Sequence, residues 1–303
     1  MVFAALILDA LLGEPPALWS RVRHPVVLIG DMIAWLDREL NKGTKKRWRG
    51  VFALWLVIVG VLIPTLMITW LPFGWIVEIL LGAVLLAHRS LVQHVAAVAT
   101  SLRHSLTEGR GAVAQIVGRD PDALDEAGVA RAAIESAAEN FSDGVVAPAF
   151  WFLIAGLPGI AIYKAVNTAD SMIGYRTEKY RNFGWASARL DDLLNWIPAR
   201  ITAMLFLVIG RGLGRTAAVI REAPLHKSVN AGWPEAALAY VLDIALAGPR
   251  SYPGGVEVND PFVNAAGRKD LVPDDIDQAV RLLWRTWAAL LILASIAALV
   301  ALL

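Results

Sequence analysis

The chain contains no cysteine. Disulfides, thiolate metal sites and a cysteine nucleophile are therefore excluded, though no compartment follows from that. Charge is also scarce. Only 18% of the 303 residues are Asp, Glu, Lys or Arg, while 57% are hydrophobic, and soluble domains carry about 25% charged residues. Gly50 to Val77 has no charged residue at all, and about 20 apolar residues suffice to cross a bilayer core. A net charge of +1 gives no electrostatic case for nucleic acid as a partner. The five histidines are scattered, which argues against a His-rich zinc site. No Walker-type phosphate loop, HExxH helix, nucleophile elbow or Rossmann fingerprint occurs, and Gly210–Thr216 is only superficially like the first of these. The N-terminus lacks a basic region ahead of its apolar run, which Asp9 interrupts, so Met1–Leu12 reads as retained structure and not as a cleaved signal.

What is present is a set of apolar stretches: Val2–Leu12, Val51–Leu71, Trp75–Ala87, Val145–Tyr163, Ala288–Leu303, and Leu193–Gly210 with Arg200 inside it. Trp70 and Trp75 flank a Leu71-Pro72-Phe73-Gly74 turn, the pattern of an aromatic belt at a tight helical hairpin. The basic run Lys45–Arg49, and later Arg281 and Arg285, put the starts of the following helices on the cytoplasmic side. Pro158-Gly159 interrupts the Val145–Tyr163 stretch, leaving open a simple crossing or a re-entrant or broken segment. Ser90–Leu106 has helical spacing, Asp122–Asn140 reads as a helix with Asp120 as N-cap and Pro121 first, and Gly248–Gly255 reads as a loop. The expectation is an all-α, polytopic membrane protein with broken or re-entrant helices. It forms one integral domain over 1–303, with cytoplasmic, soluble-facing helical segments at about 88–144 and 211–283.

The polar residues gather into four clusters. Ionisable groups beside hydrocarbon cost about 2.5–3.5 kcal/mol each even on a lenient scale, so such clusters call for a reason. In Glu135–Pro148, Glu135 and Glu139 share a helical face beside Asn140, with Asp143 following in Ser-Asp-Gly, where the helix should end. Such oxygens suit Mg²⁺; a solvated helix end with Arg131 pairing Glu135 is the bland alternative. In Lys164–Arg176, Lys164, Asn167, Asp170 or Ser171, and Gly174 form a polar stripe, and Arg176, Lys179 and Arg181 add cations able to cradle phosphate. Snorkelling interfacial cations would explain Lys179 and Arg181 equally well. In Phe183–Arg200, Asp191, Asp192 and Asn195 share a face after Arg189, unless Asp192 merely favours a helix start. In His226–Ala237, His226, Lys227, Ser228 and Asn230 precede a Pro-primed helix, as an anion site or as ordinary capping. Gly13-Glu14-Pro15-Pro16 and Arg23-His24-Pro25-Val26 form a shorter polar turn that is weak evidence alone.

In order and wording these clusters, with Asp9–Pro15 and His24-Pro25-Val26, resemble the CobD/CbiB family of cobalamin-biosynthesis membrane proteins over roughly the first 255 residues. Val229 departs from a frequent proline, and Tyr240 and Asp243 from expected small residues. The resemblance implies ATP-dependent amide ligation of adenosylcobyric acid to (R)-1-amino-2-propanol O-2-phosphate, giving adenosylcobinamide phosphate, with ATP as co-substrate and Mg²⁺. At the positions the family motifs support, residue chemistry assigns Mg²⁺ or general-base roles to Glu135, Glu139, Asp143, Asp170, Asp191 and Asp192, with metal binding at Glu139, Asp170, Asp191 and Asp192. The same chemistry assigns phosphate binding to Lys164, Arg176, Arg189, His226 and Lys227, and substrate orientation to Asn140, Asn167, Asn195 and Asn230. The implied setting is the cell membrane with a cytoplasmic active site. The implied partners are the corrinoid, the amino-alcohol phosphate, the bilayer and other membrane enzymes of cobalamin assembly, without nucleic acid. Two other classes stay open on the residues alone: an intramembrane Mg²⁺-dependent prenyl or phosphoalcohol transferase, and a non-catalytic sensor or transporter.

Overall fold

The structure, a computed structural model, describes residues 1–15, 19–118, 120–252 and 256–300. In chain order its main helices are α1 (Val2–Leu12), α2 (Pro25–Leu40), α3 (Lys46–Thr69), α4 (Gly74–Leu85), α5 (His88–His104), α6 (Leu106–Val113) and α7 (Glu126–Phe141). There follow a π-helical turn (Ser142–Val146), α8 (Ala147–Ile173), α9 (Trp185–Ile209), α10 (Thr216–Glu222), α11 (Gly232–Leu242), a hairpin of β1 (Leu246–Tyr252) and β2 (Val256–Val263), and α12 (Pro273–Val300). Among the described residues, five helical segments are long and apolar enough to cross a membrane. The all-α, multi-pass membrane architecture read from the sequence is the one observed. The chain divides into two compact units, Met1–Ala87 with Asp143–Trp196 and Ala297–Leu303, and His88–Ser142 with Ile197–Ile296.

In the first unit, α2 opens with His24 as N-cap, its Nδ1 accepting from the Val26 N–H at 3.2 Å, and with Pro25 in the first turn, where a missing N–H costs nothing. Ile29, Ile33 and Leu36 of α2 bury against Ala53, Leu54 and Val57 of α3 and Ala165, Val166, Ala169 and Ile173 of α8. Most of α3 is left open: only 17% of its most apolar window is buried, and Trp48, Trp55 and Met67 are exposed, as is Trp70 just beyond its end. That suits a helix whose solvent is lipid.

Two irregularities shape α8. Pro148 has no N–H to offer the Gly144 carbonyl one turn earlier, and that carbonyl instead accepts from the Ala87 N–H at 3.0 Å. The Ser-Asp-Gly sequence therefore does not end the helix as expected; it lies within the π turn that leads into α8. Further on, Ala155 (φ −133°, ψ 19°) and Gly156 (φ 60°, ψ −153°) leave helical geometry. The break expected at Pro158-Gly159 falls earlier, because the proline ring clashes with the preceding turn and Gly156 takes up a conformation open essentially to glycine alone. Glu78 of α4, only 7% exposed, stands beside this break, its Oε2 3.6 Å from where a Cβ on Gly156 would be.

In the second unit, His88 is fully buried among the rings of Phe141, Trp284 and Trp287. Arg103 of α5 bonds Asp274 and Asp277 of α12 at 2.5 and 2.6 Å. Helix α7 begins later than the sequence indicated. Asp125 is its N-cap, accepting from the Gly128 N–H at 2.7 Å, whereas Asp120 closes a local turn onto the Asp122 N–H at 3.0 Å. The stretch read as a loop contributes to antiparallel strands: β1 pairs with β2 across a register shift at Ala247/Pro249, where Gly248 has φ 85°. Glycine and proline are tolerated in strands at such bulges. Residues 253–255 of that stretch lie outside the described residues.

Candidate functional site

The first unit draws together three stretches that are far apart in the chain. Tyr163, fully buried on α8, directs its hydroxyl to Asn195 Oδ1 at 2.9 Å and to the Asp143 carbonyl at 3.0 Å. Asn195, itself 1% exposed, donates its amide to Asp191 Oδ2 at 3.1 Å, and Asn167 donates to Asp191 Oδ1 at 3.2 Å. Asp191 is thus held by two amides, one on each oxygen, which fixes its plane and offsets part of the cost of burying a carboxylate. The helical repeat explains the geometry: Asn195 lies one turn beyond Asp191, and Asn167 one turn beyond Tyr163.

Lys164, next to Tyr163, lies within electrostatic reach of Asp143, Glu14 and Asp191. The charges that act on Lys164 thus come from the N-terminal turn, the π turn and α9. Glu14, Trp19, His24 and Lys164 line one cavity of about 360 Å³, otherwise walled by apolar groups such as Val84 and Leu86. The Trp19 and His24 rings meet edge-on, 4.5 Å between centroids. Burial lowers the His24 pKa from its usual 6.5, with Glu14 opposing that shift.

The remaining acids and cations of this unit flank the network. Asp192 pairs with Arg189 at 3.6 Å and feels Arg176 as well. Asp170 lies against Gly174, where a methyl would overlap both its carboxylate and its carbonyl. Lys179, one of the cations proposed to cradle phosphate, forms an ion pair with Asp37 at 3.0 Å.

The second unit holds the other cluster residues. Glu135 is 2% exposed and accepts from the Ala247 N–H at 2.7 Å, while Arg131 donates to the carbonyls of Ala245 and Lys269. Glu139 is exposed, although it shares a helical face with Glu135. The two acids therefore stand in different surroundings, and Glu135 serves to anchor the hairpin. Asn140 donates to Ser136, whose hydroxyl bonds the Ile116 carbonyl. In the last cluster, His226 Nε2 approaches buried Glu235 at 3.6 Å and Ser228 Oγ accepts from the N–H groups of Asn230 and Ala231. The Arg200 guanidinium lies over the Trp233 ring at 4.5 Å and reaches Asn230 Oδ1 at 3.4 Å. Lys227 lies 3.6 Å from Asp260. Among the described residues, no three His, Asp or Glu side chains gather as a ready-made metal cage.

A polar network of this kind inside a multi-pass helical protein can be compared with known families. The family described as CobD/Cbib protein matches residues 2–283. The chain belongs to the CobD/CbiB family. It is 48% identical to a cobalamin biosynthesis protein CobD of Brucella suis, with 98% of this chain and 96% of the relative covered. It is 49% identical to one of Sinorhizobium fredii (96% and 94% covered) and 48% identical to one of Rhodobacter capsulatus (98% and 96% covered). No solved structure matches.

Several residues of this family member escaped the sequence reading. Tyr163, Trp19, Arg200, Trp233 and Glu235 were not singled out, and Glu14 and His24 were marked only as part of a weak turn. A buried tyrosine or tryptophan looks like core in a sequence. Only its polar atom's partner, or the lack of one, gives it a role.

Proposed function

We propose that this protein catalyses ATP-dependent formation of an amide between a propionate carboxylate of adenosylcobyric acid and the amine of (R)-1-amino-2-propanol O-2-phosphate, in cobalamin biosynthesis. The observation that supports this most is the juxtaposition of Lys164 with Asp143, Asp191 and Glu14 around the Tyr163–Asn195–Asp191–Asn167 network, in a family whose named members are cobalamin biosynthesis proteins. ATP supplies the leaving group that a carboxylate lacks. In the proposed sequence a carboxylate oxygen takes the terminal phosphoryl group and ADP departs. The amine then attacks the acyl carbon, phosphate departs, and a carboxylate of the site receives the amine proton. Asp143, beside Lys164, is assigned that proton. Lys164 offsets the negative charge of the approaching phosphates, and Asn167 and Asn195 keep Asp191 in one orientation.

Mg²⁺ suits this donor set better than a metal needing an all-protein cage, since it retains waters and takes one or two carboxylates together with substrate phosphates. Asp170 and Asp192 are the first unit's candidates to hold it, with Arg176 and Arg189 on the phosphate side. Glu139 keeps its proposed metal role within the second unit. Glu135 is reassigned from chemistry to positioning by its bond to Ala247. The active site is proposed to face the cytoplasm of the cell membrane, where ATP is available.

The test is to purify the full chain in detergent and follow nucleotide turnover with MgATP, corrinoid acid and amino-alcohol phosphate. Turnover that requires both acceptor substrates and yields the amide is the expected result. Turnover with neither substrate would remove the ligase reading, and product from a diphosphate substrate without ATP would replace it with the transferase one.

A further inference from the structure

The cavity bounded by Glu14, Trp19, His24 and Lys164 has a donor and acceptor pattern that specifies its occupant. His24 Nδ1 accepts from the Val26 N–H at 3.2 Å, so the neutral ring carries its proton on Nε2. Among the described residues that Nε2 is buried and meets no acceptor in full bonding geometry, although the Val84 backbone lies close to it. Among the described residues the Trp19 indole N–H is likewise buried with no hydrogen-bond partner. Buried donors left unmade are costly, so two beside one cavity ask for an acceptor. Lys164 adds a positive charge, and Glu14 places a single carboxylate at the same wall. Two neutral N–H donors with an ammonium match an anion rich in oxygen, and the lone carboxylate matches a cation. Val84 and Leu86 add apolar walls. A volume of about 360 Å³ equals roughly a dozen water-sized volumes. That accommodates a small zwitterion.

We infer that this cavity binds a short aminoalkyl phosphate, with Lys164, His24 and Trp19 on the phosphate and Glu14 on the ammonium. The assignment rests on the ligase reading for its identity as the amine substrate's pocket, and it names three residues, Glu14, Trp19 and His24, as specificity determinants. The soluble substrate is the source; the headgroup of an ethanolamine phospholipid has the same chemistry and serves as the rival.

The experiment is isothermal titration of the detergent-purified full chain, with and without MgATP. The probes are 1-amino-2-propanol O-2-phosphate, inorganic phosphate, 1-amino-2-propanol, and vesicles containing ethanolamine phospholipid. Charged hydrogen bonds contribute about 1.5–3 kcal/mol, so the aminoalkyl phosphate binds at least about tenfold more tightly than either half. Glu14→Gln loses that advantage and leaves phosphate binding unchanged. Lys164→Met weakens both phosphate-bearing probes about tenfold or more, and Trp19→Phe, which keeps the ring, weakens them by a few fold. Absence of aminoalkyl phosphate binding under either condition overturns the assignment. So does unchanged binding in both Glu14→Gln and Trp19→Phe, or saturation by the vesicles alone. Binding with this pattern but no amide product would remove the ligase reading and leave the pocket. Ligation with an unaltered KM for the amine in those two variants would remove the pocket and leave the ligase reading.

Discussion

The hydroxyl of Tyr163 lies 2.9 Å from Asn195 Oδ1, and both residues are almost wholly shielded from solvent. Through that contact α8 fixes the orientation of an amide on α9, and the amide in turn fixes Asp191. Tyr163→Phe keeps the ring and removes the link. It should cost about 1–3 kcal/mol, because Asn195 loses its partner in a buried setting. Turnover should fall by at least tenfold while the protein still inserts and purifies. Thermal unfolding in detergent and initial rates measure the two effects separately.

Asp191 accepts one amide on each oxygen. Asp191→Asn turns one of those oxygens into a second donor facing an amide N–H, so the network must rearrange. Loss of most turnover is expected, with destabilisation on the order of 1–3 kcal/mol. A variant with wild-type rates would remove Asp191 from the mechanism.

Gly174 is needed for the room it leaves beside Asp170, not for an unusual backbone, since its φ is −76°. Gly174→Ala should displace the Asp170 carboxylate and reduce turnover nearly as far as Asp170→Asn does. If Gly174→Ala matches the wild type while Asp170→Asn is inactive, the side chain's placement is not what matters.

A pH effect is expected in the second unit. Burial alone would raise the Glu222 pKa, yet bonds from Tyr240 at 2.6 Å, the Asn264 N–H at 2.9 Å and Arg221 at 3.0 Å hold it below its usual 4.5. A depressed carboxylate contributes stability that is complete above pH 4.5 and is lost as pH falls through the folded-state value. The wild type should therefore lose more thermal stability between pH 6 and the acid limit than Glu222→Gln, with Tyr240→Phe in between. Parallel curves for all three would remove Glu222 from the acid sensitivity. Tyr240, which departs from the small residue expected of the family, is accounted for by this bond.

The parts of the fold that could be read in the sequence are those set by composition over a long window. A charge-free run such as Gly50–Val77 has few alternatives to a membrane helix, and Trp70 and Trp75 marked the hairpin because interfacial aromatics follow from solvation. Asp143, Lys164, Asn167, Asp191 and Asn195 stood out, in three separate clusters, because each is costly in apolar surroundings. What escaped depended on partners distant in the chain. Glu135 looked like half of an acid pair until its bond to Ala247 was seen. Glu14, Trp19 and His24 acquire meaning only from Lys164, well over a hundred positions away. The π turn was hidden for a local reason: the consequence of Pro148 appears at Gly144, whose carbonyl finds Ala87.

The interruption at Ala155-Gly156 gives α8 a second start in the middle of an apolar segment. The amide groups that begin the new half carry partial positive charge, and Glu78 sits at that end. An acid that the lipid-facing composition of α4 would otherwise forbid is thereby matched to a dipole, so losing the glycine and losing the acid are expected to injure the protein in the same place.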